Sequence, residues 1–549
     1  MATLSQLPHE LLLIILTDPD VQLDVELCHL AGLSHRFNVI CIPIFLSIHG
    51  ISKPEELVDL NIPCSGEVPT NGDPLLGLAT SLYITQVKEL RCTFPYHCKL
   101  KPYLRDLRRL AGVVKRLHGM EKFNLQLEAF CVIPQASTED LAHSTARVEE
   151  WAEALQELLN AVIAQPLIEF TIHDGGAPLS SLYPSSPQTS FSPKPQGTLA
   201  NSLGVSQIKN KIYRILSRPS RDKPSPPSPR GITFRAPIYP PEQALLLSDV
   251  ELGGSMVLLQ PCLSWTLSLL WHASSTLTTL SLKGVRFTEP ESERWKQLLI
   301  ELHEPLLSLK ALESLSFEDC HGLPARALSR FLRGLTTIKR LSFVESVTPA
   351  ITPPRFIPTY QNLEYLRAPH DILRSLTGGN PLPFLNSARV DLRPTFLAPG
   401  ELLTIHCVGP TLNVVKKCSS VTVQVPFTRY GSRLLRWDLD WVDTTHRKRF
   451  ELITELILED FGLELGKDHT RAVFVEWLGL FKNLKRVEIK TRKADSSDDE
   501  DETQSVNARQ KVDILAAALQ KDDRGLKIEK LVYDDALYDM LQSEPSLDL

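Results

Sequence analysis

The sequence lacks the markers of a nucleic-acid-binding or secreted protein. Its 549 residues include 59 Lys and Arg against 65 Asp and Glu, so no basic excess of the kind that binds nucleic acid is present. The ten cysteines form no spaced framework, and no Asn-x-Ser/Thr acceptor occurs. Cysteines scattered within apolar runs predict buried free thiols, and hence a protein of the cytoplasm and/or the nucleus.

Long apolar runs are also scarce. The apolar run 11–16 is too short for a signal peptide, and no Lys or Arg precedes it. The stretch 252–282 lacks charged residues, but it contains Pro261, two glycines and several Ser and Thr. We interpret this stretch as a buried helix that leads into a strand rather than as a membrane span. Neither a membrane nor a nucleic acid is therefore expected among the partners.

Catalytic and cofactor motifs are missing as well. The sequence has neither G-x-G-x-x-G nor G-x-x-x-x-G-K-[ST], so it predicts no nucleotide-binding turn. It also has no G-x-S-x-G elbow and no H-E-x-x-H helix. Cys92, His97 and Cys98 lie close together, but no second ligand pair follows at zinc-site spacing. We therefore expect no catalytic residue, no metal and no cofactor, and a function in binding.

The first fifty residues predict three short helices. Pro8 suits the first turn of a helix, and Asp18-Pro19 ends that helix. The helix is apolar almost all round, with one face formed by Leu7, Leu11, Ile14 and Ile15 and further leucines at 12, 13 and 16. A second helix is predicted over 25–33 and a third over 34–43. The first helix should need two apolar neighbours, of which its own small bundle can supply one.

The run 7–16, read as L-P-x-E-L-L-x-x-I-L, resembles the opening of an F-box. The run 27–40, with Leu-Ser-His-Arg-Phe at 33–37, is similar to its second half, although Phe37 stands where many members carry Trp and Ser34 where many carry Cys. The resemblance implies docking onto the small adaptor subunit of a cullin–RING ubiquitin ligase of the SCF type. The implied ligase-adaptor-binding residues are Leu7, Pro8, Leu11, Ile15, Leu16, Leu30, Leu33 and Phe37. The alternative is a plain helical cap on the domain that follows.

The rest of the chain repeats a strand phrase that reads L-x-x-L-x-L. Clear examples begin at Leu277, Leu312, Ile338 and Ile453, and each is followed by a stretch of helical periodicity. Such a phrase predicts a parallel sheet in which the leucines turn inward and the residues between them face out. The predicted helices cover 102–117, 146–163, 291–309, 471–481 and 506–519. The predicted fold class is α/β, an irregular leucine-rich-repeat-like solenoid or horseshoe, and the alternative is a doubly wound sheet.

Two segments interrupt the repeats, and they set the predicted domain organisation. Ser- and Pro-rich stretches indicate a disordered insertion over 174–230, with a short helix at 203–216. An acidic run predicts a solvated loop over 490–504, in which Ser496 and Ser497 are possible phosphorylation sites. The predicted units are therefore 1–50, the F-box-like helical module, and two repeat blocks at 51–173 and 231–549.

These observations favour a non-catalytic adaptor. The helical module would bind the ligase adaptor, and the repeat domain would hold an unknown target protein for ubiquitination. Polar positions in the strand phrases are candidate target contacts because of the direction they face: Thr279, Ser281, Ser316, Ser342 and Glu364. Two alternatives remain at this stage, an interaction scaffold with no ubiquitin role and an enzyme on an α/β fold.

Overall fold

The structure is a computed structural model of the whole chain. It describes residues 6–18, 24–62, 73–94, 100–127, 141–174, 245–259, 262–287, 291–344, 362–377, 382, 384–392, 409–426, 435, 439, 444–459, 467–491, 501–521, 526, 528–534 and 536–540. Within these ranges no helix is long and apolar enough to cross a lipid bilayer.

The chain begins with three helices, α1 (His9–Leu16), α2 (Asp24–Ala31) and α3 (His35–Ile48). Pro8 precedes α1 as predicted, and the hydroxyl of Ser34 caps α3 by accepting a hydrogen bond from the Phe37 amide. The predicted end of the third helix at Pro43 is wrong, because α3 continues to Ile48. Pro43 removes one helical hydrogen bond, and the buried residues on either side of it hold the helix together.

Fifteen strands form one sheet in the described part of the chain. Each strand lies beside its neighbour in sequence, and all pairs are parallel except the last, in which β15 runs antiparallel to β14. The strands are β1 (Leu57–Asn61), β2 (Glu89–Phe94), β3 (Lys122–Leu127), β4 (Glu169–His173), β5 (Asp249–Gly253), β6 (Thr279–Lys283), β7 (Ser314–Glu318), β8 (Arg340–Val344), β9 (Tyr365–Pro369), β10 (Ser387–Asp391), β11 (Ser420–Pro426), β12 (Glu455–Glu459), β13 (Arg486–Ile489), β14 (Lys530–Tyr533) and β15 (Ala536–Asp539).

In the described part of the chain, helices cover one face of this sheet, and most side chains on the other face, called the open face, are at least partly exposed. Alternate strand residues are buried, as Leu280 and Leu282 are, whereas Thr279 and Ser281, which alternate with them, are partly exposed. The helices are α4 (Pro74–Thr80), α5 (Leu100–Arg116), α6 (Leu141–Ile163), α7 (Leu263–His272), α8 (Glu291–Ser308), α9 (Ala325–Arg333), α10 (His370–Thr377), α11 (Gly409–Leu412), α12 (Thr444–Phe450), α13 (Asp468–Leu478) and α14 (Asp501–Gln520). The predicted strand–helix alternation and inward leucines are confirmed.

The core runs along the whole sheet as a stack of repeats. Phe317 and Phe343 occupy paired positions on β7 and β8, and their rings stack with centroids 5.2 Å apart. Phe123 and Phe170 are paired in the same way on β3 and β4, with centroids 6.3 Å apart. Trp265 of α7 packs against Phe170. Each repeat therefore buries its apolar face against the next one, which no single repeat could do alone.

The sheet continues across the predicted insertion. β4 pairs with β5, and the carboxylate of Asp174 accepts a hydrogen bond from the Met256 amide just beyond β5. Gly254 allows this contact, because a Cβ at that position would lie 1.2 Å from Asp174 Oδ1. The two repeat blocks therefore share one sheet. The remainder of the predicted insertion, with its helix at 203–216, lies outside the described residues.

The predicted acidic loop over 490–504 is wrong at its C-terminal end, because α14 already begins at Asp501. The N-terminus of a helix carries a partial positive charge, so an acidic sequence does not oppose a helix at that place. Ser496 and Ser497 lie outside the described residues.

The helical unit α1–α3 is attached to the sheet through a buried polar residue. Asn38 of α3 donates hydrogen bonds to the carbonyl oxygens of Ala31 and Thr80 at 3.2 and 3.0 Å, and it accepts one from the Leu82 amide at 2.9 Å. Gly77 of α4 packs so closely on Phe45 that an added Cβ would lie 2.6 Å from the ring. The helical unit is thus fixed to the first repeat.

Candidate interaction surfaces

The first helix presents an apolar surface to solvent. Leu11, Ile14 and Ile15 have exposed fractions of 46%, 65% and 41%, and these three residues are called the α1 patch. They follow one another at helical spacing, with exposed Pro8 one turn before them. Isolated exposed leucines are common on protein surfaces, but a cluster on one helix face indicates an interaction site.

The opposite side of α1 is buried. Leu12 and Leu16, one helical turn apart, belong to the core. A side chain of Arg36, at the start of α3, donates a hydrogen bond to the carbonyl oxygen of Leu7 and fixes the two helices together. The bundle thus covers one side of α1 and leaves the other side open, as the apolar sequence predicted.

The residues implied to bind a ligase adaptor fall into two groups. Pro8, Leu11, Ile15 and Leu33 are exposed, and Leu7 and Leu30 are partly buried. The following two residues are buried and belong to the core: Leu16 and Phe37. Helical spacing explains the difference, because Leu16 lies one turn after buried Leu12 and Phe37 follows the cap of α3 into the bundle.

The predicted docking set omitted Ile14, the most exposed residue of the α1 patch. Its position three residues after Leu11, on the face that the sequence already defined, was the available signal.

Most of the predicted target contacts lie on the open face of the sheet. Ser281, Ser316 and Ser342 occupy paired positions on β6, β7 and β8, so they form one row across three strands. Thr279 lies in the adjoining row. All four side chains are partly exposed. The alternation of the repeat phrase was sufficient to predict this row.

Glu364 does not belong to that row. It precedes β9 and lies at the amino-terminal edge of the sheet, where its amide donates a hydrogen bond to the carbonyl oxygen of Lys339. Lys339 itself forms a 2.7 Å ion pair with Glu313 at the same edge. The prediction that Glu364 lies on the open face of a strand is therefore wrong, because Glu364 occupies the position just before β9, as Lys339 does before β8.

Ion pairs link neighbouring strands along the first half of the open face. Lys122 and Glu169 approach to 2.5 Å across β3 and β4. They line a polar depression of about 320 Å³ together with Asp59, Arg91 and Thr171. Within the described residues no group of three or more His, Cys, Asp and Glu side chains is placed to hold a metal.

Further along the first half, a hydrogen bond from His173 lowers the pKa of the Glu251 carboxyl. The His173 Nε2 atom lies 2.8 Å from Glu251 Oε1, and Lys283 adds a second positive neighbour. These ion pairs hold charged open-face side chains of neighbouring strands in contact with one another.

Arginines gather further along the open face. Arg367 Nε lies 3.1 Å from Asp391 Oδ2, and Arg389 Nε lies 3.1 Å from the Gln424 side-chain oxygen. Burial raises the pKa of the neighbouring Tyr365 hydroxyl. This group was not predicted from the sequence, because β10 lacks the leucines of the repeat phrase. Apolar residues at 385, 388 and 390 keep the same spacing and were the usable signal.

Comparisons with known proteins give little similarity in sequence. No known protein family and no curated protein matches the chain. The matches among solved structures include a structural-genomics target from Bacteroides fragilis, at 13% identity and a TM-score of 0.27, over 41% of this chain and 68% of that one.

Proposed function

We propose that this chain is a substrate-recognition adaptor of an SCF-type cullin–RING ubiquitin ligase. The helical unit would dock onto the small adaptor subunit of the ligase, and the open face of the sheet would hold a target protein. The α1 patch is the observation that carries the proposal. The F-box resemblance of the same segment adds the class of partner. Such an adaptor would act in the cytoplasm and/or the nucleus.

The α1 patch is large enough to anchor a partner. Fully burying a leucine or isoleucine side chain contributes about 1.5–3 kcal/mol. Leu11, Ile14, Ile15 and Leu33 are 41–71% exposed, so burial of each would supply roughly half of that contribution or somewhat more. A contribution of that size can offset the loss of translational and rotational freedom on association. The α1 patch is already exposed in the folded chain, so docking needs no rearrangement of α1.

The attachment of the helical unit also supports the proposal. Asn38 and the Gly77–Phe45 contact hold α1–α3 against the first repeat. An adaptor acts by raising the effective concentration of one bound partner near another, and this effect depends on a fixed geometry between the two binding surfaces. A rigid link between the α1 patch and the sheet meets that requirement.

The test is retention of the purified ligase adaptor subunit on the immobilised full-length chain. We expect Leu11→Asp and Ile15→Asp each to reduce retention at least tenfold. Leu537→Asp is the matched control, because Leu537 is 65% exposed but lies on β15 at the far edge of the sheet. Thermal melting should show all three variants folded. The proposal fails if the unmodified chain retains no adaptor subunit, or if the α1 variants retain as much as the control.

The alternative function is an interaction scaffold without a ubiquitin role. The open face of a fifteen-strand sheet is itself a large binding surface, and this observation favours any protein-binding function equally. Absence of adaptor retention, together with capture of proteins that depends on open-face residues, would favour this alternative.

A further inference from the structure

We propose that the arginines on β8–β10 bind an acidic segment of a partner protein. Arg340, Arg367 and Arg389 lie on the open face of these three strands and are called the arginine patch. The inference rests on the proposed function in one respect: if the chain is a ligase adaptor, the partner that carries the acidic segment is the target protein held for the ligase. The binding chemistry itself does not depend on that role.

The arginine patch stands out because the charge of the open face changes sign along the sheet. On β8–β10 the open-face positions carry the three arginines and a single acid, Asp391. On β1–β5 they carry five acids against Arg91 and Lys122. Those five acids are Asp59, Glu89, Glu169, Asp249 and Glu251. A partner segment that follows the sheet would therefore place its acidic residues over β8–β10.

The arginine side chains are already held in position. Asp391 Oδ2 accepts from Arg367 Nε, and the Gln424 side-chain oxygen accepts from Arg389 Nε, both at 3.1 Å. Both arginine side chains are only 22% exposed. Asp391 is buried between the two arginines and pairs with both, so it offsets one of their two charges and leaves a net positive charge at the surface. Side chains ordered before binding lose less conformational entropy on association.

With respect to the described residues, the patch keeps donors for a carboxylate. The hydrogen bonds of Arg367 and Arg389 to other described residues use Nε and Nη2, which leaves both Nη1 groups available. Arg340 is exposed and forms no ion pair with any residue in the described part of the chain. Arginine binds carboxylates through paired, charge-assisted hydrogen bonds. Two register-paired arginines, about 5 Å apart across adjacent strands, suit successive acidic residues.

A short acidic peptide segment fits this site better than a nucleic acid does. Glu455 on β12 and Glu251 on β5 lie on either side of the patch, on the same open face. A phosphate backbone that continued across the sheet in either direction would meet these carboxylates. The basic surface is therefore about as long as a few residues of an extended peptide, and it does not continue across the sheet as a phosphate backbone would require.

The test is selection of a random dodecapeptide display library on the immobilised full-length chain. We expect recovered peptides to be enriched in Asp and Glu. This enrichment should disappear with the double variant Arg367→Gln/Arg389→Gln. Arg91→Gln is the matched control, because it removes the same charge from the open face at β2, where Arg91 pairs with Glu89.

One recovered acidic peptide would then be measured by fluorescence anisotropy at low and high salt. Each single Arg→Gln change in the pair should weaken binding about tenfold, since a hydrogen bond to a charged group is lost. A single-stranded oligonucleotide should not compete. The inference is overturned if no acidic enrichment occurs, if enrichment survives in the double variant, or if the oligonucleotide displaces the peptide.

These outcomes are separable from those of the adaptor experiment. Acidic-peptide binding without retention of the ligase adaptor subunit would support binding by the arginine patch and contradict the ligase role. Adaptor retention without acidic-peptide binding would support the ligase role and contradict binding by the arginine patch.

Discussion

At the scale of single residues, the open face of the sheet is organised by hydrogen bonds between neighbouring strands. Glu251 is the clearest case, because the His173 imidazole lies 2.8 Å from its carboxylate and the Lys283 ammonium 3.8 Å from it. Both contacts favour the ionised carboxylate, so the pKa of Glu251 in the folded chain is lower than its ordinary value of 4.5.

This lowered pKa predicts a specific loss of stability in acid. A carboxyl whose folded pKa lies below its unfolded pKa stabilises the fold above the unfolded value, and the stabilisation is lost as pH falls through the folded value. Glu251→Gln should therefore be less stable than the unmodified chain near pH 6. The difference should be smaller at a pH well below 4.5, as measured from urea midpoints, because the stabilisation is lost as the pH falls through the lowered pKa.

Glu153→Gln is the matched control, because Glu153 is exposed on α6. Its urea midpoint should differ little from that of the unmodified chain at either pH. A difference between Glu251→Gln and the unmodified chain that grew on acidification would contradict the assigned pair.

At the scale of single elements, α1 shows how one short helix divides its apolar residues between two roles. Leu12 is fully buried, whereas Ile14, two residues later, is 65% exposed. Both residues are large aliphatics, so composition alone could not assign either role. The division follows from α3 packing against one side of α1.

The two positions should respond differently to truncation. Leu12→Ala should destabilise the helical unit by about 2–5 kcal/mol, because it leaves a cavity in a packed core. Ile14→Ala should change stability by less than about 0.5 kcal/mol, since its side chain is already in water. Native-state hydrogen exchange of the α3 amides would measure both effects. Equal destabilisation by the two changes would mean that α1 is covered within its own chain.

At the scale of the whole molecule, the helical unit is attached to the sheet through α4 and the residues just after it. The Asn38 side chain satisfies two carbonyl groups and one amide, and two of these, the Thr80 carbonyl and the Leu82 amide, lie at the C-terminal end of α4. Leaving such buried groups without partners costs about 1–3 kcal/mol. The Asn38 hydrogen bonds and the Gly77–Phe45 contact therefore contribute to the relative orientation of the α1 patch and the open face.

Asn38→Ala should loosen this attachment without unfolding the sheet. We expect limited proteolysis between α3 and β1 to become faster, while hydrogen exchange in β6–β8 stays unchanged. Ser47→Ala is the matched control, because among the described residues the Ser47 hydroxyl bonds only to the Ile44 carbonyl within α3. Proteolysis of Asn38→Ala at the rate of the control would show that other contacts carry the attachment.

The sequence by itself determined the repeating part of the fold. Phrases such as Leu312–Phe317 fixed which strand residues are buried, because alternation across a strand is a local property. Helical spacing likewise predicted α5, α6, α8 and α13 to within a few residues at most ends. The sequence also showed that α1 has apolar residues on nearly all of its faces, and a helix that is hydrophobic all round cannot be covered by one neighbour.

Only the tertiary structure decided which apolar residues face solvent and which charges meet. Leu16 of α1 and Phe37 of α3 became core residues because α1 and α2 pack against α3. The arginine patch depends on the register of β8, β9 and β10, which brings together residues 27 and 22 positions apart in sequence. Register and packing are long-range properties, so no local pattern of residues contains them.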